Sequence, residues 1–174
     1  YMVKHPVYQH FNVVNKYGNI AINELNGKSN LTVKYGNINA VTLGFDESKP
    51  MSEIYVDYGN ASIGKITWAK LFPKYSDIDI LKGTALIIMS RYSEVSVAES
   101  YALVCESRYD EYDIGTCKSF IFTGKYGDVK VKKVESQLVV SFSYGNVDVG
   151  SVNSDFEKIT LDVDYGSVDI GIPE

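Results

Sequence analysis

Apolar positions along the chain recur at fixed offsets from a repeated string of Tyr, Gly, a polar residue and an aliphatic residue. Nine tyrosines mark the repeat, at intervals of 17 or 18 residues except for one interval of 23 and one of 21. Such regular internal periodicity is typical of repeat architectures. The nine are Tyr17, Tyr35, Tyr58, Tyr75, Tyr92, Tyr109, Tyr126, Tyr144 and Tyr165.

Alignment of the repeats on these tyrosines gives four mainly apolar columns, which lie four residues before the tyrosine and three, five and eight residues after it. The column five residues after the tyrosine, for example, contains Ile80, Val97, Ile114 and Val131. Positions three and five share one face of an extended chain, because side chains alternate with a period of two. These alternating segments, rich in β-branched residues, predict short β-strands.

A single repeat is too small to bury its own apolar face, so equivalent strands must stack on one another. Strands that stack about 4.8 Å apart would turn each column into a ladder of aliphatic side chains inside a rod roughly 40 Å long. We therefore predict an all-β fold, a β-solenoid of about nine coils with a repeat of 17–18 residues. Residues 11–174 would form this single domain, and residues 1–10 would be an N-terminal cap or linker.

The tyrosine and the residue after it are expected to form a corner of each coil. Glycine in the second position allows a tight bend, and the substitutes Ser76, Ser93 and Asp110 suggest that the corner does not need a positive φ. We expect the tyrosine rings to stack along one edge. Side chains alternate along a strand, and counting from the apolar column four residues before the tyrosine favours rings that point inward or lie across the corner. The alternative is an exposed ladder that binds sugar rings or a partner.

Composition and charge exclude several classes of protein. The formal net charge is -5, from 17 Lys+Arg against 22 Asp+Glu, which argues against a nucleic-acid binder. No apolar stretch approaches the roughly 20 residues that span a bilayer. No signal segment is evident, so the protein is either cytosolic or exported by a segment that precedes this sequence. Cys105 and Cys117 are expected to face the interior as free thiols, with a disulfide as the alternative.

The sequence contains one candidate binding patch and no catalytic constellation. Both arginines, Arg91 and Arg108, precede tyrosines in consecutive coils and are expected to stack beside Glu94 and Glu111. This patch would bind an anionic or sugar ligand, unless the four residues only form surface ion pairs. The sequence has no phosphate-binding or nucleophile motif, and we expect no metal or cofactor. A calcium site at Asp110, Glu111 and Asp113 is an alternative to a solvated acidic face.

The repeated pattern Tyr-Gly-[Asn/Asp/Ser]-[Val/Ile]-x-[Val/Ile] resembles the adhesin β-helix family of bacterial cell-envelope domains, over nearly the whole chain from Phe11 to Ile172. The resemblance implies a single-stranded, right-handed β-helix, secretion or lipoprotein anchoring, and a periplasmic or surface location. Spacing alone leaves the handedness open, although the strict six-residue period of left-handed hexapeptide helices is missing. The family's function is largely unknown, and no catalytic motif carries over to this sequence.

These observations favour a noncatalytic cell-envelope or surface protein, an adhesin or scaffold that binds a surface glycan or a protein. One alternative is a carbohydrate-active enzyme, a lyase or hydrolase, that uses Arg91, Arg108 and their acidic neighbours. Another is a module that assembles end to end, because terminal coils of a solenoid expose strand edges. No nucleic acid partner and no membrane-spanning segment are expected, whereas a lipid anchor upstream of the chain would be compatible with this reading.

Overall fold

The fold was analysed in a computed structural model, which describes residues 10–44 and 51–172. The protein is all-β, and its parallel stacked strands form a β-solenoid of about nine turns, as predicted. Most of the predicted N-terminal cap, residues 1–9, lies outside the described residues. The strands are β1 (His10–Lys16), β2 (Ile20–Asn26), β3 (Lys28–Lys34), β4 (Asn37–Gly44), β5 (Ser52–Asp57), β6 (Asn60–Lys74), β7 (Asp77–Arg91), β8 (Glu94–Val152), β9 (Lys158–Asp164) and β10 (Ser167–Ile170).

Each coil pairs in parallel with the next, so that equivalent residues of successive repeats lie opposite each other. Ile63 is paired with Ile80, and Ile80 is paired in turn with Val97. The pairing continues through the corner, where the N–H of Tyr92 donates to the carbonyl of Arg108 at 3.1 Å. Residues at the same distance from their tyrosines therefore pair with each other in neighbouring coils. We call each coil by the number of its tyrosine.

The predicted apolar columns form the core, since Ile38, Ile88 and Val97 are completely buried. Two further columns that the sequence analysis missed also point inward, at six and two residues before each tyrosine. They escaped notice because their members differ in chemistry. The first includes Ser29, Ala69 and Phe120, and the second includes Val33, Pro73, Ser90 and Phe142.

The described residues include no helix with the length and apolar character that a membrane span requires. The described part of the chain is instead built almost wholly from strands and the bends between them. Functional side chains can therefore be located by two coordinates, the coil and the column.

Candidate ligand-binding groove

The nine tyrosines form a ladder on the outside of the solenoid. Their side chains are 37% to 79% exposed, and every ring is stacked on its neighbour with centroids 4.7 to 5.4 Å apart. The predicted stacking is confirmed, but the rings do not point inward, which was one of the two orientations expected. All nine tyrosines have a positive φ of 50° to 64°, and this left-handed conformation interrupts the period-two alternation. The ring then faces solvent, and the next residue turns inward.

The expectation that the corner needs no positive φ is also wrong, because the tyrosine itself supplies it in every coil. The glycine that follows serves close approach instead. A Cβ on Gly59 would lie 1.8 Å from the carbonyl oxygen of Gly36 in the preceding coil. Where Ser76, Ser93 or Asp110 replaces glycine, the side chain is buried at the corner.

These three substitutes build a buried polar ladder. The Gly59 N–H donates to Ser76 Oγ at 3.3 Å, the Ser76 N–H to Ser93 Oγ at 3.2 Å, and the Ser93 N–H to Asp110 Oδ1 at 2.7 Å. The other oxygen of Asp110 accepts hydrogen bonds from the Ser90 and Ser107 hydroxyls, each at 2.8 Å. The ladder therefore ends on a carboxylate in the middle of the rod.

Burial raises the pKa of the Asp110 carboxyl, and the hydrogen bonds that it accepts from Ser90, Ser107, Ser93 and Arg108 offset only part of this shift. The Arg108 bond comes from its backbone N–H, at 2.6 Å from Oδ2. Tyr112 extends the cluster inward, with its hydroxyl 2.5 Å from Ser90 Oγ. Nearly every polar group of the cluster has a partner, which indicates a structural role for Asp110.

Four basic residues lie immediately before the tyrosines of four successive coils. We call Lys74, Arg91, Arg108 and Lys125 the cationic row. Lys74 is paired with Arg91, Arg91 is paired with Arg108, and all four side chains are exposed. Within residues 10–44 and 51–172, Lys82–Glu99 is the only side-chain ion pair within 4 Å. Like charges therefore stack without a salt-bridge partner, which costs free energy.

The cationic row borders a groove of about 720 Å³ that runs along the rod past six coils, from coil 58 to coil 144. At its N-terminal end lie the rings of Tyr55 and Phe72, stacked at 4.5 Å between centroids. Ser90 and Ser107, the partners of Asp110, also line it. The groove has two acids, Asp57 and Glu106, against the four cations, so its formal charge is 4 - 2 = +2 in a chain of -5.

Four acids form a second row on the other side of the tyrosines. We call Asp77, Glu94, Glu111 and Asp128 the acidic row, since each lies two residues after the tyrosine of the same four coils. Asp77 is paired with Glu94 in the stack. Glu94, Glu111 and Asp128 line a smaller hollow of about 160 Å³.

The structure thus separates the four residues that the sequence analysis grouped. Arg91 and Arg108 line the groove, whereas Glu94 and Glu111 line the hollow beyond the tyrosine ladder. Lys74, Lys125, Tyr55 and Phe72 were missed. The signal for the two lysines was present, because a basic residue precedes the tyrosine in four consecutive repeats.

The considered calcium site does not assemble. Asp110 is buried and its carboxylate already accepts four hydrogen bonds from the protein, whereas Glu111 and Asp113 are exposed. In the described part of the chain, no three His, Cys, Asp or Glu residues are placed to hold a metal ion.

The two cysteines are free thiols buried in the core, as the sequence analysis expected. Burial raises the pKa of Cys117 to about 12 and that of Cys105 well above its ordinary value. A thiol at such a pKa contains almost no thiolate near neutrality, so neither cysteine is an activated nucleophile.

What remains is a long, open, electropositive groove beside an aromatic ladder, a geometry suited to holding an extended anionic chain. No protein-family model, curated protein or solved structure matches this chain.

Proposed function

We propose that this protein is a noncatalytic binding module of the cell envelope, an adhesin or scaffold whose groove holds an extended acidic glycan. The observation that carries this proposal is the cationic row, where Arg91 and Arg108 stack in register without an ion-pair partner. An anionic ligand would relieve the repulsion within the row. Rules of local stability tend to be broken at functional sites.

The shape of the groove supports a chain-like ligand. It passes six coils, and one coil advances by about 4.8 Å along the rod. The cationic row thus offers one positive charge at each step over four steps. A linear polymer of acidic sugars, with one acidic group on each ring or every second ring, would meet these charges in sequence.

The apolar part of the lining supports a sugar in particular. Tyr55 and Phe72 present a stacked aromatic pair, and Met89, which lies one repeat of 17 residues after Phe72, also lines the groove. Apolar surface with a few placed charges is typical of ligand sites. The C–H faces of a sugar ring would pack on this surface, while its acidic substituents reach the cationic row.

The acids in the groove argue against a hydrolase. Asp57 and Glu106 are three coils apart, which is about 14 Å along the rod. Inverting glycosidases place their two carboxyl groups roughly 6.5–9.5 Å apart, and retaining enzymes place them closer. The envelope location, with export or an upstream lipid anchor, is supported by the family resemblance of the Tyr-Gly repeat.

Binding should be measured by titration calorimetry with polygalacturonate as the acidic polymer and dextran as the neutral one. We expect the wild type to bind polygalacturonate alone, with an affinity that falls as salt is added. The double variant Arg91→Ala/Arg108→Ala should bind at least about tenfold more weakly. The matched control is Lys65→Ala/Lys132→Ala, which removes two exposed lysines outside the groove and should leave binding unchanged.

Equal loss in both double variants would contradict the proposed site, because it would reflect only total charge. Failure of acidic polysaccharides to bind would overturn the glycan proposal. Release of unsaturated or reducing sugar ends, abolished by Arg108→Ala in a folded protein, would establish the enzyme alternative instead.

A further inference from the structure

The cationic row and the acidic row occupy the same four coils on either side of the tyrosine ladder. Each coil from 75 to 126 contributes one basic residue, one tyrosine and one acid, in the order basic, Tyr, any residue, acid. The two rows therefore have the same number of charges and the same step. We propose that this charged ridge is a contact surface for a second copy of the chain, which lies alongside with its acidic row against the cationic row.

The distribution of charge favours this contact. Lys74, Arg91 and Arg108 are register neighbours of like charge, as are Asp77 and Glu94. Like charges directly opposite each other destabilise a sheet. A position in the stack can instead pair opposite charges, since Lys82 faces Glu99 in register and forms an ion pair at 3.0 Å. Like charges also face each other at Lys65 and Lys82 and at Asp148 and Asp169, but neither pair extends over four coils. A partner that brings the opposite sign to each row would relieve both repulsions.

The spacing of the charges identifies the partner. A matching protein must present four successive charges of opposite sign, with the rise of one coil between neighbouring charges. A parallel stack with the same rise meets this condition, and the chain itself carries both rows. The repeat of the tyrosine rings, with centroids 4.9 Å apart from Tyr58 to Tyr109, is the step that both copies share.

The residue types at the ridge also suit a protein–protein contact. Tyr75, Tyr92 and Tyr109 are 42% to 47% exposed although they are part of a continuous stack. Tyrosine and arginine are enriched in protein–protein interfaces and among the residues that dominate binding energy. Four coils span only about 15 Å of the rod, so the contact would belong to the small, weak class of interfaces.

This inference does not depend on the proposed ligand, although both use the cationic row. A glycan in the groove would compete with the second copy for the cationic row, whereas the acidic row does not line the groove. Within the acidic row, Asp128 also accepts hydrogen bonds from Asn146 in the next coil. Charge reversal can therefore separate the two proposals. Arg91→Glu/Arg108→Glu makes both rows acidic over the two central coils, and Glu94→Arg/Glu111→Arg makes both rows basic there.

The test is sedimentation velocity on the full chain at low salt, with circular dichroism to verify that each variant is folded. We expect the wild type to form a concentration-dependent dimer that dissociates at high salt. Each charge-reversal variant alone should dimerise at least about tenfold more weakly. An equimolar mixture of the two should recover association, because at the two central coils one copy then offers only acids and the other only cations.

Three results would overturn the inference: a wild type that stays monomeric at low salt, variants that associate as strongly as the wild type, and a mixture that stays monomeric. Association that persists at high salt and in both variants would point to end-to-end pairing of strand edges. Glu94→Arg/Glu111→Arg should retain binding of polygalacturonate, so loss of self-association in this variant is distinguishable from failure of the proposed function.

Discussion

Asp110 Oδ1 accepts a hydrogen bond from the backbone N–H of Ser93 at 2.7 Å, and this bond joins two successive coils at their corner. In the coils before it, a serine hydroxyl performs the same task. Asp110 differs because its second oxygen also holds Ser90 and Ser107. It is therefore the point at which the corner ladder is fixed to the groove lining.

Asp110→Ala should destabilise the protein by about 2–4 kcal/mol, because it leaves several buried donors without an acceptor. Asp110→Ser is the matched control, since serine occupies this position in the two preceding coils, and it should cost less. Urea unfolding followed by circular dichroism measures both. Equal losses for the two variants would show that the hydrogen bonds to this position contribute little.

The pH dependence of stability should show the raised pKa of Asp110. A carboxyl whose pKa is higher in the folded state binds its proton more tightly there, so its contribution is fully present below the unfolded-state pKa and is lost as pH rises through the folded-state pKa. The stability of the wild type relative to Asp110→Asn should therefore be greatest in acid and decline with rising pH. Urea titrations from about pH 3 to about pH 8 test this; a difference that grows with pH would contradict it.

The backbone and ring roles of the corner tyrosines can be separated at Tyr92, which has a φ of 53° and stacks on Tyr75 and Tyr109. Tyr92→Phe keeps the ring and should be nearly neutral. Tyr92→Asn loses the stacking but tolerates the left-handed conformation. Tyr92→Val loses both and should be the least stable, by about 1–2 kcal/mol relative to Asn. Thermal melting should give this order; a valine variant as stable as the asparagine variant would mean that the corner relaxes.

Close approach at the corner predicts a contrast between two glycines. A methyl group on Gly59 would collide with the backbone of Gly36, whereas one on Gly18 would meet only the Asn15 side chain, at 3.0 Å. Gly59→Ala should therefore be strongly destabilising, and Gly18→Ala should be tolerated because a flexible side chain can move. Comparison of soluble yield and melting temperature tests this, and similar values for both would contradict the geometry.

The buried thiols should be inert in the native protein. Ellman's reagent should modify neither Cys105 nor Cys117 in buffer, because burial removes access and raises both pKa values. Both should react in guanidinium chloride without a reductant. Reaction only after reduction would instead indicate a disulfide, the alternative considered from the sequence.

The sequence was sufficient for the ladders because a solenoid makes repeat spacing and spatial register the same quantity. Ile80 and Val97 could be placed side by side from their distance to a tyrosine. The exposed tyrosines could not be predicted in this way, since a left-handed residue reverses the alternation on which the inference rested. The groove could be predicted only in part. Arg91 and Arg108 stand out as the two arginines of the sequence, whereas Lys74 and Lys125 differ from the other lysines only in their place before a tyrosine in neighbouring repeats.

The corner geometry also limits how the molecule can change in length. Neighbouring coils share one register, so a gain or loss inside a paired strand would shift the contacts of that strand. Extra residues between strands, as in the 21-residue interval between Tyr144 and Tyr165, leave the pairing on both sides intact, and a whole added repeat would do the same. Coils 75 to 126 follow one another at intervals of 17 residues, so this part of the rod is built from repeats of one length. The length of this part would therefore change in steps of one coil, and each added coil would bring its own basic residue, its own acid and its own tyrosine ring.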